Sequence, residues 1–278
     1  MDPRVITERS VVRVTVGASP EHRRDKLAGE EPLEMRVGGQ SLAVTMRTPG
    51  ADFELGAGFL VSEGVVTHAD ELADVRYCDE LGMREPERNN IIDLTLRGDV
   101  APPDESVARA FFTTSSCGLC GKASIDAVRT RSAFEVRDDP LRVTPGWLAN
   151  LPDRLRDAQD VFEQTGGLHG AALFDGATGE LLVTREDVGR HNAVDKVVGW
   201  ALRERRLPLR GVILLVSGRA SFELVQKALM AGIPMLCAVS APSSLAAQLA
   251  QESGMTLVGF LRAPSLVVYA GEERLLSQ

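Results

Sequence analysis

Two of the chain's four cysteines stand in one short run of small residues, Thr113-Thr114-Ser115-Ser116-Cys117-Gly118-Leu119-Cys120-Gly121-Lys122. A Cys-x-x-Cys pair brings two soft, polarisable sulfurs within reach of each other. That suits a disulfide, a soft metal, or the carriage of a sulfane sulfur. Gly118 and Gly121 would leave the backbone unshielded, and the polar Thr-Thr-Ser-Ser run keeps the approach open. A helix expected from about 123 to 131 would aim its positive N-terminal end near Cys120, with Lys122 adjacent, and both effects favour thiolate. The competing reading is half of a structural zinc site, which the lack of a second Cys-x-x-Cys weakens. Zinc deaminases carry His-x-Glu followed by Pro-Cys-x-x-Cys. Here Ser116 precedes Cys117, and His169-Gly170-Ala171 lies after the cysteines without the glutamate, so hydrolytic zinc chemistry is not expected.

Other polar clusters sit at the ends of apolar runs. Glu186 through Lys196 stands between a predicted strand and a predicted helix. Arg190, His191 and Lys196 are donors suited to phosphate, Gly189 permits close backbone approach, and Asn192 is a candidate helix cap. A well-capped helix with a solvated charged face explains the same spacing. Ser217-Gly218-Arg219 follows the apolar run Val212 to Val216, at the carboxyl end of a predicted parallel strand, where open α/β sheets bind ligands. Ser240-Ala241-Pro242-Ser243-Ser244 and Phe260-Leu261-Arg262-Ala263-Pro264-Ser265 follow the next two strands. Each alone reads as turn chemistry. Three consecutive strand ends of this kind, two with an arginine, point to a nucleotide-like ligand with several phosphates. Cys78 and Cys237 read as core or near-core thiols.

The elements that would position these residues fall into two kinds. Val11 to Val16, Pro32 to Val37 and Ser41 to Thr48 alternate as strands, the last two around Gly38-Gly39, and Asp52 to Glu63 has helical spacing. Strands follow at 75–78 and 91–96. One helix is predicted over 146–164, with Trp147, Leu148, Leu151, Leu155, Ala158 and Phe162 on one face. Strands 168–174 and 181–185 bracket a turn, and a helix covers 192–203. Short β-branched runs at 211–216, 233–239 and 255–261, separated by helices at 222–231 and 245–252, read as a parallel sheet buried on both faces. The predicted organisation is a strand-rich N-terminal domain (1–112), an active loop (113–122) and an α/β domain (123–278).

A chain of 278 residues, 44% hydrophobic and 25% charged, is ordinary for a soluble globular protein. Four scattered cysteines do not make a secreted disulfide framework, so a reducing cytoplasm is expected. No secretory start and no membrane span are read. A net charge of −8 disfavours nucleic acid, so any anionic ligand must be held by placed residues.

The segments Glu31-Pro32-Leu33-Glu34, Met46-Arg47-Thr48-Pro49-Gly50, Thr114 through Lys122, Arg185 through Lys196, Ser217 through Lys227 and Ser240 through Ser244 resemble the formate dehydrogenase accessory sulfurtransferase family, FdhD. The resemblance spans about Glu31 to Tyr269. It implies a cytoplasmic homodimer with a cytidine-deaminase-like α/β C-terminal domain. It also implies a role: sulfur is taken from a cysteine desulfurase and passed to a molybdenum or tungsten bis(molybdopterin guanine dinucleotide) cofactor before that cofactor enters formate dehydrogenase. By motif, Cys117 matches the persulfide-bearing cysteine, Cys120 its partner, and Phe260, Leu261, Arg262, Ala263, Pro264 and Ser265 the cofactor-binding segment. Ser217, Gly218, Arg219, Arg190, His191 and Asn192 complete the expected cofactor-binding set; no permanent metal is expected. Two rival functions remain at this level. A dithiol-disulfide oxidoreductase would place Cys-x-x-Cys at the first helix after a first strand, whereas about a hundred residues precede it here. A non-catalytic cofactor chaperone would need the pocket but not the thiols.

Overall fold

The computed structural model describes residues 2–78, 89–98, 100–101 and 132–277. The Cys-x-x-Cys loop and the helix expected at 123–131 lie outside the described residues.

The architecture is mixed α/β. Twelve described strands form three sheets. The largest contains β7 (His169–Asp175), β8 (Leu181–Asp187), β9 (Val212–Val216), β10 (Met235–Ala238), β11 (Thr256–Arg262) and β12 (Ser265–Ala270), in the order β12-β11-β10-β9-β7-β8. Strands β9, β10 and β11 are parallel, as their unbroken apolar runs require. Strands β7, β8 and β12 run antiparallel to their neighbours, so the sheet is mixed. Helices α6 (Phe222–Met230) and α7 (Ser244–Ser253) make the crossovers.

Period-2 alternation divides the strands between two layers. Leu214, Val216, Leu236, Ala238 and Leu257 join the cluster beneath α1 (Asp52–Ser62), α5 (Arg190–Arg203), α6 and α7. Ile213, Leu215, Met235, Cys237 and Val258 pack against Leu148, Leu151 and Leu155 on the other face. Each fully buried leucine here stabilises the fold by about 1.5–3 kcal/mol. Cys237 is wholly buried, which pushes its thiol well above the ordinary range and leaves it inert, as expected for packing.

The helix predicted over 146–164 is three short ones: α2 (Pro145–Leu148), α3 (Leu151–Asp157) and α4 (Asp160–Thr165). Pro152 has no N–H to give to the Leu148 carbonyl, so the hydrogen-bond ladder of α2 cannot run on, and α3 opens with Pro152 in its first turn, where no N–H is needed. Gln159, with ψ at 70°, breaks the chain again before α4. The periodic apolar face survives the breaks in Leu148, Leu151 and Leu155, while Phe162 packs in a separate cluster.

In the N-terminal part, β3 (Glu31–Val37) and β4 (Gln40–Arg47) form the expected hairpin, with positive φ at both Gly38 and Gly39. They join β5 (Leu72–Tyr77) and β6 (Ile91–Leu96) in a sheet of order β4-β3-β6-β5. A separate hairpin pairs β1 (Ile6–Arg13) with β2 (Glu21–Ala28). The strand predicted at 11–16 therefore begins earlier and ends at Arg13. Strand β2 went unpredicted because its Glu-His-Arg-Arg-Asp-Lys run is mostly exposed and carries no apolar alternation.

Helices α1 and α5 cross at two glycines. A Cβ at Gly58 would overlap the Asp195 carbonyl oxygen, and one at Gly199 would overlap that of Glu54. This close approach unites the smaller sheet and the larger one in a single buried cluster. Replacing Gly199 with Ala forces the helix backbones apart. A loss of roughly 1–3 kcal/mol or more is expected, read as a lowered midpoint in urea or thermal unfolding.

Candidate functional site

The site is organised around a buried carboxylate. Asp187, the last residue of β8, is fully buried and forms an ion pair with Lys196 at 2.7 Å. Its Oδ2 accepts from the Thr48 amide at 3.1 Å, and its Oδ1 accepts from the Gly189 amide at 2.8 Å and from Asn192 Nδ2 at 3.0 Å. Lys196 Nζ also donates to the carbonyls of Thr48 and Glu186, at 2.9 and 3.3 Å. Asn192 Nδ2 donates to the Met46 carbonyl as well, at 2.8 Å, and its Oδ1 accepts from Thr45 Oγ1 at 3.3 Å. One carboxylate thereby locks the first turn of α5 against the end of β4. A buried charge held this way is tolerable because its lone pairs are met by directed donors.

Two sequence expectations change here. Asn192 is not the helix cap: α5 begins at Arg190 with Gly189 before it, and both ends of the Asn192 amide are engaged inside the protein. Lys196 is 2% exposed and bound to Asp187, so it is not a phosphate donor. Both residues position the turn rather than face a ligand.

The three strand ends do converge. The Ser217 amide donates to the Gly170 carbonyl, and Ser217 Oγ accepts from the Gly170 amide, both at 2.9 Å. The Ser240 amide donates to the Gly218 carbonyl at 3.3 Å, and the Phe260 amide to the Ser240 carbonyl at 3.1 Å. Arg262 Nε reaches the Val239 carbonyl at 3.3 Å. His191 Nε2 lies 3.4 Å from Ser221 Oγ and 3.8 Å from Glu223 Oε2, which ties the start of α5 to the start of α6. Arg190, His191 and Ser217 to Arg219 therefore share one edge with Phe260 and Arg262.

Within the segment 260–265 the residues divide. A β-bulge between β11 and β12 puts Phe260 at φ 49° and turns its ring out, 44% exposed. Leu261 is correspondingly fully buried in the second core cluster, so its side chain has no surface to offer a ligand. Arg262, Ala263, Pro264 and Ser265 are exposed around the β11–β12 turn. A non-glycine residue in the left-handed region costs on the order of 1–3 kcal/mol, which the surrounding strand pairing must sustain.

The edge is rich in uncompensated positive charge. Arg219 is exposed and, among the described residues, neither it nor Arg190 has a carboxylate partner. Arg190 Nε is buried without a hydrogen-bond acceptor among the described residues. His169, which the sequence reading set aside, stands at the start of β7 beside Gly218. Burial first, then the charges of Arg190 and His191, push its pKa down, so it is neutral where an ordinary histidine would begin to charge. Only the antiparallel pairing of β7 with β9 brings that residue to the carboxyl edge of the sheet, which a sequence pattern does not specify. Glu223 is the acidic member. Burial would raise it, but hydrogen bonds from His191, its own amide and Ser221 together bring it down to about 2.

A model of the FdhD/NarQ family matches residues 28–276. The chain belongs to that family. It is 59% identical over 273 residues to the sulfur carrier protein FdhD of Streptomyces avermitilis, covering 98% of this chain and 96% of that relative. It is 55% identical to the protein of that name from Mycolicibacterium paratuberculosis, covering 98% and 99% of the two chains. A crystal structure of a formate dehydrogenase accessory protein from Desulfotalea psychrophila superposes with a TM-score of 0.75 at 25% identity, covering 98% of this chain and 100% of that one. The family named from the sequence is therefore the family found.

Two outcomes test this arrangement. Lys196→Met strips the buried carboxylate of its cation and is expected to cost about 3–5 kcal/mol in urea unfolding. Glu223 ionises at a lower pH folded than unfolded, so its interactions stabilise the protein above about pH 4.5 and are lost as the pH falls towards 2. His191→Ala should raise the Glu223 pKa, followed by carboxyl carbon NMR, and weaken stability above about pH 4.5, the difference from the unsubstituted protein fading as the pH falls towards 2.

Proposed function

We propose that the chain is a sulfur carrier protein serving formate dehydrogenase. A cysteine desulfurase supplies the sulfur, and a molybdenum bis(molybdopterin guanine dinucleotide) cofactor receives it as cargo rather than as a resident group. The observation that carries this reading is the pairing of the Thr114 to Lys122 motif, in a chain 59% identical to a sulfur carrier protein FdhD, with an edge of arginines that have no carboxylate partner among the described residues, on a protein of net charge −8.

The chemistry assigned to the chain's own residues is as follows. The Cys117 thiolate attacks the outer sulfur of the desulfurase persulfide. A new S–S bond forms on Cys117, the donor's S–S bond breaks, and the donor cysteine leaves as thiolate. When the Cys120 thiolate then attacks the inner sulfur of Cys117, the outer sulfur leaves as sulfide and a Cys117–Cys120 disulfide remains. A thiol reductant restores that pair. Arg190, His191 and Arg219 hold the phosphates of the guanine dinucleotide, Phe260 offers an exposed aromatic face beside them, and neutral His169 borders the same edge. The protein works as a homodimer in a reducing cytoplasm.

Incubation with a desulfurase and cysteine should add the mass of one sulfur atom to Cys117, and Cys117→Ala should abolish activation of formate dehydrogenase. Arg219→Ala should weaken GDP binding roughly ten- to a hundredfold, the worth of one charge-assisted hydrogen bond. Loss of two hydrogens with no sulfur adduct would instead make the pair a redox dithiol. Full activation by Cys117→Ala would make the protein a cofactor chaperone.

A further inference from the structure

The β1–β2 ribbon takes no part in the site. It is a sheet of two strands, matched over eight residue pairs from Ile6 and Ala28 at its base to Arg13 and Glu21 towards its tip, and hydrogen-bonded to neither of the other sheets. The base is fixed. Val5, Ile6 and Ala28 pack with Val161, Phe162, Leu168 and Val188, and Lys26 Nζ donates to Gln164 Oε1 at 2.8 Å. The Gly29 amide donates to the Val5 carbonyl at 2.7 Å, and a Cβ at Gly29 would overlap the Arg4 carbonyl oxygen, so both strands leave the body at one closely set point. Beyond that point both faces of the ribbon lie open: from residue 7 to residue 24 only Val11 is half-buried and every other residue is exposed.

A two-stranded ribbon with neither face on a core is marginally stable by itself. Its exposed residues are also not those of a merely solvated hairpin. Val12, Val14 and Val16 stand at alternate positions towards the tip, exposed by 49%, 70% and 100%, and Leu27 is exposed nearer the base. In a sheet of two strands each strand keeps one edge of unpaired N–H and C=O groups, to which an extended segment of another chain can add.

Charge narrows the partner. Between Ile6 and Ala28 the cations Arg9, Arg13, Arg23, Arg24 and Lys26 outnumber the carboxylates Glu8, Glu21 and Asp25 by two, so the ribbon carries +2 and the remainder of the chain −10. Eight strand residues span about 26 Å, about three Debye lengths at physiological ionic strength. Arg13 and Arg23, towards the tip, are thereby screened from the negative field of the body. An acidic protein is repelled by that body and attracted by the ribbon. Position narrows the partner again. Val188, on which the base packs, leads directly into Gly189 and Arg190 of the arginine edge. The ribbon is rooted beside the edge that holds the cofactor in the sulfur-carrier reading, and the protein that must come to that edge is the one that takes the cofactor over.

We infer that the β1–β2 ribbon is the docking arm for the dehydrogenase apoprotein that receives the cofactor, meeting an acidic surface with Arg13, Arg23 and Arg24 and an exposed strand with Val12, Val14 and Val16. The identity of this partner rests on the sulfur-carrier reading; the openness and charge of the ribbon do not.

Two double variants of the full chain test the arm. Val12→Thr with Val14→Thr keeps the β-branched shape and removes apolar surface, while Arg13→Ser with Arg23→Ser removes two cations. Each is expected to weaken binding to formate dehydrogenase apoprotein roughly tenfold in calorimetric titration and to slow its activation in proportion. Sulfur loading of Cys117 by the desulfurase, GDP binding and the mass in solution by light scattering should stay unchanged. Binding of the unsubstituted protein should weaken as salt is raised, and the arginine variant should show a shallower salt dependence. The two variants alter different groups, so misfolding of one, seen as a lowered unfolding midpoint, leaves the other to decide.

Undiminished binding and activation by the folded variants would overturn the docking arm. Slower sulfur loading with apoprotein binding intact would also overturn it and make the ribbon a contact for the sulfur donor; a halved mass in solution with apoprotein binding intact would overturn it in favour of a contact between copies of this chain. Failure of the unsubstituted protein to acquire sulfur on Cys117 is a separate result that removes the carrier reading itself.

Discussion

The site depends on one carboxylate held out of water. Asp187 gathers two backbone amides, an amide side chain and an ammonium group, and each of those donors belongs to a segment that must be placed. Thr48 brings the end of β4, while Gly189 and Asn192 bring the opening turn of α5. Removing a charge from water costs several kcal/mol, recovered only when every lone pair has a partner. That all-or-none requirement makes the arrangement specific: any other path for the 186–196 segment strands a charge. The side chains of Arg190 and His191 are then presented to the edge as a consequence of a backbone they do not themselves hold.

The glycine crossing of α1 and α5 is the companion constraint. A helix bearing Asp195, Lys196 and Asn192 reaches the smaller sheet only because Gly58 and Gly199 allow the backbones to meet. Asp195 in turn accepts from Ser62 Oγ at 2.6 Å and from Lys227 at 2.8 Å, linking α1, α5 and α6 through a second buried charge. The helices under the sheet are thus fastened to each other by ion pairs and to the sheet by apolar packing. Helix lengths and strand ends can then be registered to within a side chain. The edge arginines, without carboxylate partners among the described residues, repel one another, and an anion at the edge would relieve that repulsion.

Several features were legible in the residues alone. The β9, β10 and β11 runs could only be buried parallel strands, and Gly38-Gly39 could only be a tight turn, because period and backbone freedom are local properties. The gathering of Ser217 to Arg219, Ser240 and Phe260 at one edge followed from parallel topology itself. What was hidden is equally specific. Lys196 and Asn192 looked like ligand donors because spacing does not say that an aspartate nine residues before the lysine will claim it. The single helix predicted over 146–164 ignored Pro152, although the apolar face on either side of it was read correctly. Leu261 and Phe260 exchange roles through a bulge that only the pairing with β12 creates.

By itself the sequence determined the class: an α/β sheet with arginines at strand ends, and the family to which such a chain belongs. Residue type and local period carry that information, since nucleophilicity, hydrophobicity and turn preference reside in the residues. The tertiary structure alone decided which charges are spent internally and which remain for a ligand. Asp187 consumes Lys196 and Asn192, Arg190 and Arg219 stay unpaired among the described residues, and Gln159 is left with an unmet donor. Burial and partnership are properties of pairs distant along the chain, and no run of adjacent residues contains them.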